Sequence, residues 1–412
     1  MQATTKRNLR TGTPVWLSRG PKASPFARLE KSLKVDVAIV GAGVSGALIA
    51  DALLSTGKSV AVFDRRGPGK GSTAASTALL QFELDTPLSL LSRMVGRERA
   101  ARAYWRSASA VSYLRGRIQD LGLSCGFKER STVYLPGDVL DIKGLEREAE
   151  VRASMGLRSR FIGPQELLAL TNIVGRGAIL SGGSGELNPV ALVAGLWRSA
   201  SARGARLFAP VDVVDVSNGP RSVFLSTSEG FEVRAGHAVF ATGYEPLRMV
   251  STKGHRVMST WAMATPPQAE RLWPSRALIW EASDPYLYMR TTSDGRIVVG
   301  GCDEDFSDEK RRDALIPSKI AAIKRKLKTL LPDVETRADF AWTGSFGASS
   351  TGMPSMGVVP GARRCFAVLG YGGNGITFST VGAQLVQRAI IGLKDPDEDL
   401  FAFTACRRPR PF

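Results

Sequence analysis

The stretch Val35–Arg66, VDVAIVGAGVSGALIADALLSTGKSVAVFDRR, changes structural period twice and decides the fold. Val35 to Val40 reads as a parallel strand buried on both faces, because its apolar residues do not alternate with polar ones. Gly41-x-Gly43-x-x-Gly46 follows. Leu48 with Ala52 and Ile49 with Leu53 then recur at four-residue spacing, as on a helix. Gly57 is a helix stop, Ser59 to Phe63 a second parallel strand, and Asp64 ends that strand 18 residues after Gly46. Each part has a physical task. Gly41 permits the tight turn, Gly43 lets a pyrophosphate approach the backbone, and Gly46 lets helix and strand pack closely. The helix start offers free N–H groups and a positive dipole end to phosphates. Asp64 is placed to accept ribose hydroxyls. Strand, turn, helix, strand and acid in register point to an adenine dinucleotide. They leave NAD and FAD open.

Outward from this unit, Gly67–Asp85 (GPGKGSTAASTALLQFELD) is rich in small polar residues. Ser72, Thr73 and Ser76 suit a backbone drawn close to a long cofactor. Residues 91–121 read as one long helix, with Val111, Leu114, Ile118 and Leu121 on one stripe and Tyr104 and Trp105 as core or domain-contact residues. GHAVFATGYEP (236–246) is a buried strand that ends at Ala241-Thr242-Gly243, a small turn facing the same cofactor. Residues 255–305 read as a run of antiparallel strands, with a hairpin turn at Ser293-Asp294-Gly295. A helix follows, with Ile320, Ile323, Leu327 and Leu331 on one face. Near the end, Gly370–Ile376 (GYGGNGI) forms a second glycine-rich turn between an apolar run and a helical pattern. No second acid-bearing strand follows it, so it reads as the far end of one cofactor site. The fold class expected is α/β: a Rossmann-like nucleotide domain with an inserted α+β substrate domain built on an antiparallel sheet. The boundaries fall at 33–90, 180–250 and 338–412 for the first, at 91–179 and 251–337 for the second, and at 1–32 for an N-terminal arm.

Composition narrows the chemistry. At 412 residues, 43% hydrophobic and 23% charged, the chain has the make-up of a globular protein with ample core. Cys125, Cys302, Cys365 and Cys406 form no CxxC, which argues against zinc, a redox dithiol or a disulfide framework. No metal site is expected. The net charge of +17 is spread along the chain and is not interleaved with aromatics, so nucleic acid is not an expected partner. A basic, well-solvated surface is the expectation, with a peripheral contact to an anionic membrane as the other use of such charge. The first 34 residues hold one acid, Glu30, among several basic residues, and are read as an arm across the protein; the localisation expected is cytoplasmic. Only two histidines exist, His237 and His255, and there is no G-x-S-x-G elbow, HExxH or P-loop. Hydrolase and kinase chemistry lack their parts, whereas a bound redox cofactor can carry the difficult step itself.

GAGVSG with Asp64, ATGYE, PYLYMRTTSDGRIVVGG, WTGSFGASSTGMPSMG, GYGGNGITFS and the closing GLKDPDEDLFAF occur in one order. That order resembles the FAD-dependent D-amino-acid-oxidase-like (DAO) oxidoreductases over residues 33–405, in their bacterial amine and amino-acid oxidase branch. The resemblance implies non-covalent FAD, since the segment GASSTGM lacks the cysteine that bonds flavin in sarcosine-oxidase-like members. By position it places Gly41, Gly43, Val44 and Ser45 on the pyrophosphate, Asp64 on the ribose and Arg65 beside the adenine. The resemblance likewise implies a backbone contact from Val213 to adenine, with Gly373, Asn374, Gly375 and Ile376 covering the flavin end. It implies oxidation of a C–N bond of a small amine or amino acid, with oxygen or a quinone-type carrier as electron acceptor. Val298 stands where sarcosine-oxidase-like members carry an oxygen-activating lysine, and Ala78 and Thr377 stand in for their substrate-carboxylate Arg and Lys. Tyr286, Tyr288 and Arg290 alternate by two along one strand and are the candidate catalytic-pocket residues, with Arg290 as a clamp for a substrate carboxylate. The competing readings are an NAD-dependent dehydrogenase and a non-catalytic flavin-binding subunit.

Overall fold

The computed structural model describes residues 3–18, 25–251 and 254–403; Cys406 and the basic tail RRPRP lie outside them. Two sheets organise the chain. The smaller has eight strands. Its parallel centre runs Ala362–Leu369, Glu232–Phe240, Leu33–Val40, Val60–Phe63 and Arg206–Phe208, side by side. Val37, Ala38 and Ile39 are fully buried, as are Val60 to Phe63 to within 1%, because both faces of these strands are covered. On one face lie Val44–Leu54, Pro189–Ala202 and Gly375–Ile390. On the other, the hairpin Val213–Asn218/Val223–Thr227 folds over a second apolar cluster. The first of those helices is hydrophobic all round, as a helix wedged between a sheet and two other helices must be. Its one buried acid, Asp51, is held by Arg117 (2.9 Å) and Arg203.

The larger sheet has ten strands and is mainly antiparallel. His255–Ala264 pairs along its whole length with Phe340–Ser349, and on its other side with Ile297–Glu304. Ile297–Glu304 pairs in turn with Leu287–Thr291 across the hairpin expected at Ser293–Gly295. Ile316–Leu330 covers one face through Ile320, Ile323 and Leu327, which pack with Trp261, Met263 and Val299. The opposite face is left for the cleft between the sheets.

The structure departs from the sequence reading in several places. The long helix expected at 91–121 is two helices, Leu88–Val95 and Arg97–Asp120, because Gly96 sits at φ +90°, outside helical geometry. Tyr104 is buried in the core, but Trp105 is 46% exposed and donates its indole N–H to the Met155 carbonyl. Most of Ala178–Glu186 (from residue 180 on) and all of Phe340–Ser349, which the expected boundaries assign to the nucleotide domain, hydrogen-bond into the larger sheet. Residues of the N-terminal segment join both units. Thr5 bonds Pro246, Arg10–Gly12 adds an edge strand to Phe340–Ser349, and Trp16 donates to the Ser76 carbonyl.

Candidate cofactor and substrate site

One continuous cleft of about 1630 Å³, its solvent-open mouth included, runs between the two sheets. Its first third is the fingerprint. Gly41 takes φ +114°, and a Cβ there would lie 2.3 Å from the Ala241 carbonyl oxygen. A Cβ on Gly46 would lie 1.9 Å from the Gly41 carbonyl oxygen. Gly46 therefore serves helix-to-turn packing, and it does not line the cleft, whereas Gly41, Gly43, Val44 and Ser45 do. The helix Val44–Leu54 begins at Gly43 with no side-chain cap and no acid in its first turn. Its leading N–H groups are thus available to an anion, apart from that of Val44, which donates to Thr73 Oγ1 at 3.0 Å. Thr73, with Ser72 and Ser76, lines the cleft alongside.

Asp64 lines the next part, but its carboxylate is already at work. It accepts the N–H groups of Ala42, Arg66 and Gly67, each at 2.7 Å, and so holds the turn that follows it. Arg65 pairs with Asp212 (2.9 Å) and Glu245 (3.5 Å), and Arg66 with Glu245. Val213, Ala241, Thr242 and Gly243 line the same end.

The second glycine turn closes the cleft from the opposite side. Gly370 and Gly372 take φ +72° and +59°. Gly373 donates its N–H to Asp85 Oδ2 at 2.8 Å, and the Asn374 side chain donates to the Glu83 carbonyl at 2.5 Å. The helix Gly375–Ile390 starts there, again without a side-chain cap or an early acid. The two turns touch. Ser45 Oγ is 2.8 Å from both the Tyr371 hydroxyl and Ser379 Oγ, so this side chain joins the two helix starts. Gly373, Asn374, Gly375 and Ile376 all line the cleft.

The end beneath the larger sheet is walled by Tyr286, Tyr288, Trp280, Thr260 and Asp303. The Tyr288 ring lies flat over Gly300, where a Cβ would meet it at 2.6 Å. Tyr286 and Tyr288 stand 5.3 Å apart between ring centroids, and burial raises both phenol pKa values. Burial also raises the Asp85 carboxyl, against the Gly373 hydrogen bond, and pushes Asp303 up to about 7. Sequence reasoning missed Glu83, Asp85, Trp280 and Asp303. The first two are visible only as the end of the small-residue loop, and Asp303 as an acid at the end of an apolar strand.

Arg290 is a correction. It shares the strand Leu287–Thr291 with Tyr288, while Tyr286 lies one residue before that strand, yet the Arg290 guanidinium does not line this cleft. It is 3% exposed and donates to the carbonyls of Thr77 (2.7 Å), Leu187 (2.7 Å) and Thr291 (3.2 Å). It also stacks 4.7 Å from the Trp16 ring centre and faces Glu186 at 3.5 Å. Burial lowers its pKa to about 10, with Glu186 opposing. Two residues further along the strand, the Thr77 segment has replaced the cleft.

The site suits a long, doubly ended cofactor. An uncapped helix start with Gly43 on the lining stands at one end, a second uncapped helix start at the other, and the buried Gln81 side-chain nitrogen on the lining has no partner. Comparison with known proteins agrees. The family model described as "DAO: FAD dependent oxidoreductase" matches residues 36–389. The chain is 22% identical over 390 residues to gamma-glutamylputrescine oxidoreductase of Escherichia coli, covering 90% of this chain and 87% of that protein. It is 24% identical over 391 residues to glycine oxidase of Geobacillus kaustophilus, covering 91% and 97%. The crystal structure of glycine oxidase from that organism superposes with a TM-score of 0.74 at 20% identity, covering 92% of this chain and 99% of that one. L-proline dehydrogenase from P. horikoshii superposes with a TM-score of 0.71 at 18% identity, covering 91% and 97%. With one cleft built for one dinucleotide and this match along most of its length, the chain belongs to the DAO family of FAD-dependent oxidoreductases.

Proposed function

We propose that the protein oxidises a carbon–nitrogen bond of a small amine or amino acid. The observation that carries this reading is the junction of the second glycine turn with the tyrosine-walled end of the cleft, where Tyr286 and Tyr288 line the same cleft as the helix start at Gly375. The names of three relatives, gamma-glutamylputrescine oxidoreductase, glycine oxidase and sarcosine oxidase subunit beta, support the substrate class. FAD, when bound, would supply the acceptor for the hydride that leaves the carbon next to nitrogen.

The protein's own groups prepare that step. Tyr286, Tyr288 and Trp280 exclude water and orient the substrate carbon. The nitrogen must be neutral, so that its lone pair becomes the C=N bond as the hydride departs; the resulting iminium is then hydrolysed by water to a carbonyl compound and ammonia, or a smaller amine where the substrate is a secondary amine. The N–H groups that open Gly375–Ile390, with the positive end of that helix, favour negative charge accumulating beside them. Pyrophosphate would be held by Gly41, Gly43 and the backbone N–H of Ser45, with Val44 alongside and its own N–H kept by Thr73, and the adenosine end by Asp64, Arg65 and Val213. No cysteine or histidine is among the residues lining the cleft, which supports non-covalent attachment. Oxygen or a quinone-class carrier takes the electrons onward. Among the described residues, no helix is long and apolar enough to cross a membrane.

The test is anaerobic titration of the yellow protein with a panel of amines and amino acids. Bleaching of the visible flavin band by at least one of them is expected. A flavin that binds stoichiometrically and that no substrate bleaches would overturn the reading in favour of a non-catalytic flavin subunit.

A further inference from the structure

The substrate end of the cleft carries acids with no cation beside them on its lining. Asp85 and Asp303 both line it; burial raises both carboxyls, and the charge of Asp85 adds to the rise at Asp303. Thr260 bonds one oxygen of Asp303, while Oδ1 is buried with no partner. Glu83, 1% exposed and also on the lining, has Oε2 buried without a partner, although Oε1 accepts from Thr132. An unpartnered buried carboxylate oxygen is costly unless a ligand completes it. The cations on the cleft lining are Arg65, Arg66 and Lys70, all at the far end beside Asp64 and Glu245. Arg290 is outside the cleft. Arg152, behind the Glu83 wall, is not on the lining and is shared between Glu148 (2.7 Å) and Glu83 (3.8 Å). Lys319 is turned away onto Glu304 and the Cys302 carbonyl. A carboxylate entering here would find no counter-charge, whereas an ammonium would find open carboxylate oxygens and the faces of Tyr286, Tyr288 and Trp280.

We infer that this site selects an amine bearing a second, non-reacting cationic nitrogen and no carboxylate, with Asp303 and Glu83 holding that cation while the neutral amine is oxidised. The inference rests on the proposed amine chemistry and names the substrate class for it.

Three compounds with the same reacting –CH2–NH2 end separate the possibilities: pentane-1,5-diamine, pentylamine and 5-aminopentanoate. In anaerobic reduction of the holoenzyme, the diamine is expected to half-saturate at a concentration at least tenfold below pentylamine, with 5-aminopentanoate weakest. Asp303→Asn, checked for unchanged FAD content, is expected to remove the diamine's advantage. A second measurement needs neither variant nor turnover: calorimetry of the holoenzyme with tetramethylammonium chloride and with sodium acetate, where the cation should bind and the acetate should not. Preference for 5-aminopentanoate, an undiminished diamine advantage in Asp303→Asn, or acetate binding tighter than tetramethylammonium would overturn the inference. If glycine-type amino acids bleach the flavin while the diamine does not, the inference fails and amine oxidation stands. If nothing bleaches it, amine oxidation fails, and the calorimetric arm still decides whether the end of the cleft takes cations.

Discussion

The two glycine-rich turns look alike in sequence and do different work. At Gly41–Gly46 the glycines meet backbone: a Cβ would strike the carbonyl oxygen of Ala241 from Gly41, and that of Gly41 from Gly46. At Gly370–Gly375 they meet side chains. A Cβ on Gly370 would lie 2.5 Å from the His255 ring, one on Gly372 2.5 Å from the Asp85 carboxylate, and one on Gly373 2.8 Å from that carboxylate and 3.0 Å from the Tyr286 hydroxyl. The first turn is thus fixed by strand-to-helix packing, which any nucleotide of this type requires. The second admits groups from the Gly67–Asp85 loop and from the larger sheet to the wall of the cleft. Ser45, bonded to Tyr371 and Ser379, makes the two turns the ends of one site.

Breaking the first turn should have the largest effect. Gly46→Val places carbon against a backbone oxygen that cannot move without unpairing the turn, a cost of ~3 kcal/mol or more. The expected outcome is little soluble protein, or a sharply lowered thermal midpoint without bound FAD; a stable yellow variant would contradict the packing argument. Gly375→Val tests the second turn and separates it from the first. The nearest atom to a Cβ there is the Tyr244 hydroxyl at 3.8 Å, so the chain tolerates the side chain and the cleft does not. Near-normal thermal stability of the apoprotein is expected, with FAD affinity reduced about tenfold, ~1.4 kcal/mol; equal losses of stability in both variants would erase the distinction.

The smallest effect sharpens the comparison through pH. Asp303 stands near the second turn's end of the cleft, where burial together with Asp85 and Asp284 raises its pKa to about 7, while Thr260 and Lys319 act against them. The carboxyl is neutral below that value and charged above it. Binding of tetramethylammonium to the holoenzyme should therefore strengthen as pH rises from about 6 to about 8, by less than about tenfold, since one site's titration is being followed. Calorimetry at several pH values checks this, and a flat profile, or the same profile in Asp303→Asn, would remove Asp303 from the response.

Much of this architecture is written in local pattern. Val35–Arg66 sets the central strands and the turn, and the 3.6-residue stripe of Ile320, Ile323 and Leu327 sets the helix over the larger sheet. The tyrosine pair also follows from alternation, and both rings line the cleft. Arg290 shows where alternation stops being enough. Period two tells which face a residue takes, but the face is shared by the cleft at Tyr288 and by the Thr77 and Leu187 carbonyls one step on. Strand assignment has the same limit. Ala178–Glu186 and Phe340–Ser349 carry no local mark of the sheet they join, which is decided by partners far away in sequence. The acids of the cleft were illegible for a related reason, since Glu83, Asp85 and Asp303 converge only once both sheets are in place.

The central claim is that both turns serve one FAD. Reconstituting the apoprotein with excess FAD, removing the unbound fraction and releasing the remainder with acid measures it directly. The account predicts one FAD per chain, all of it released, with occupancy lowered by Gly375→Val in a folded chain. Two FAD per chain, or one whose binding is indifferent to Gly375→Val, would contradict it.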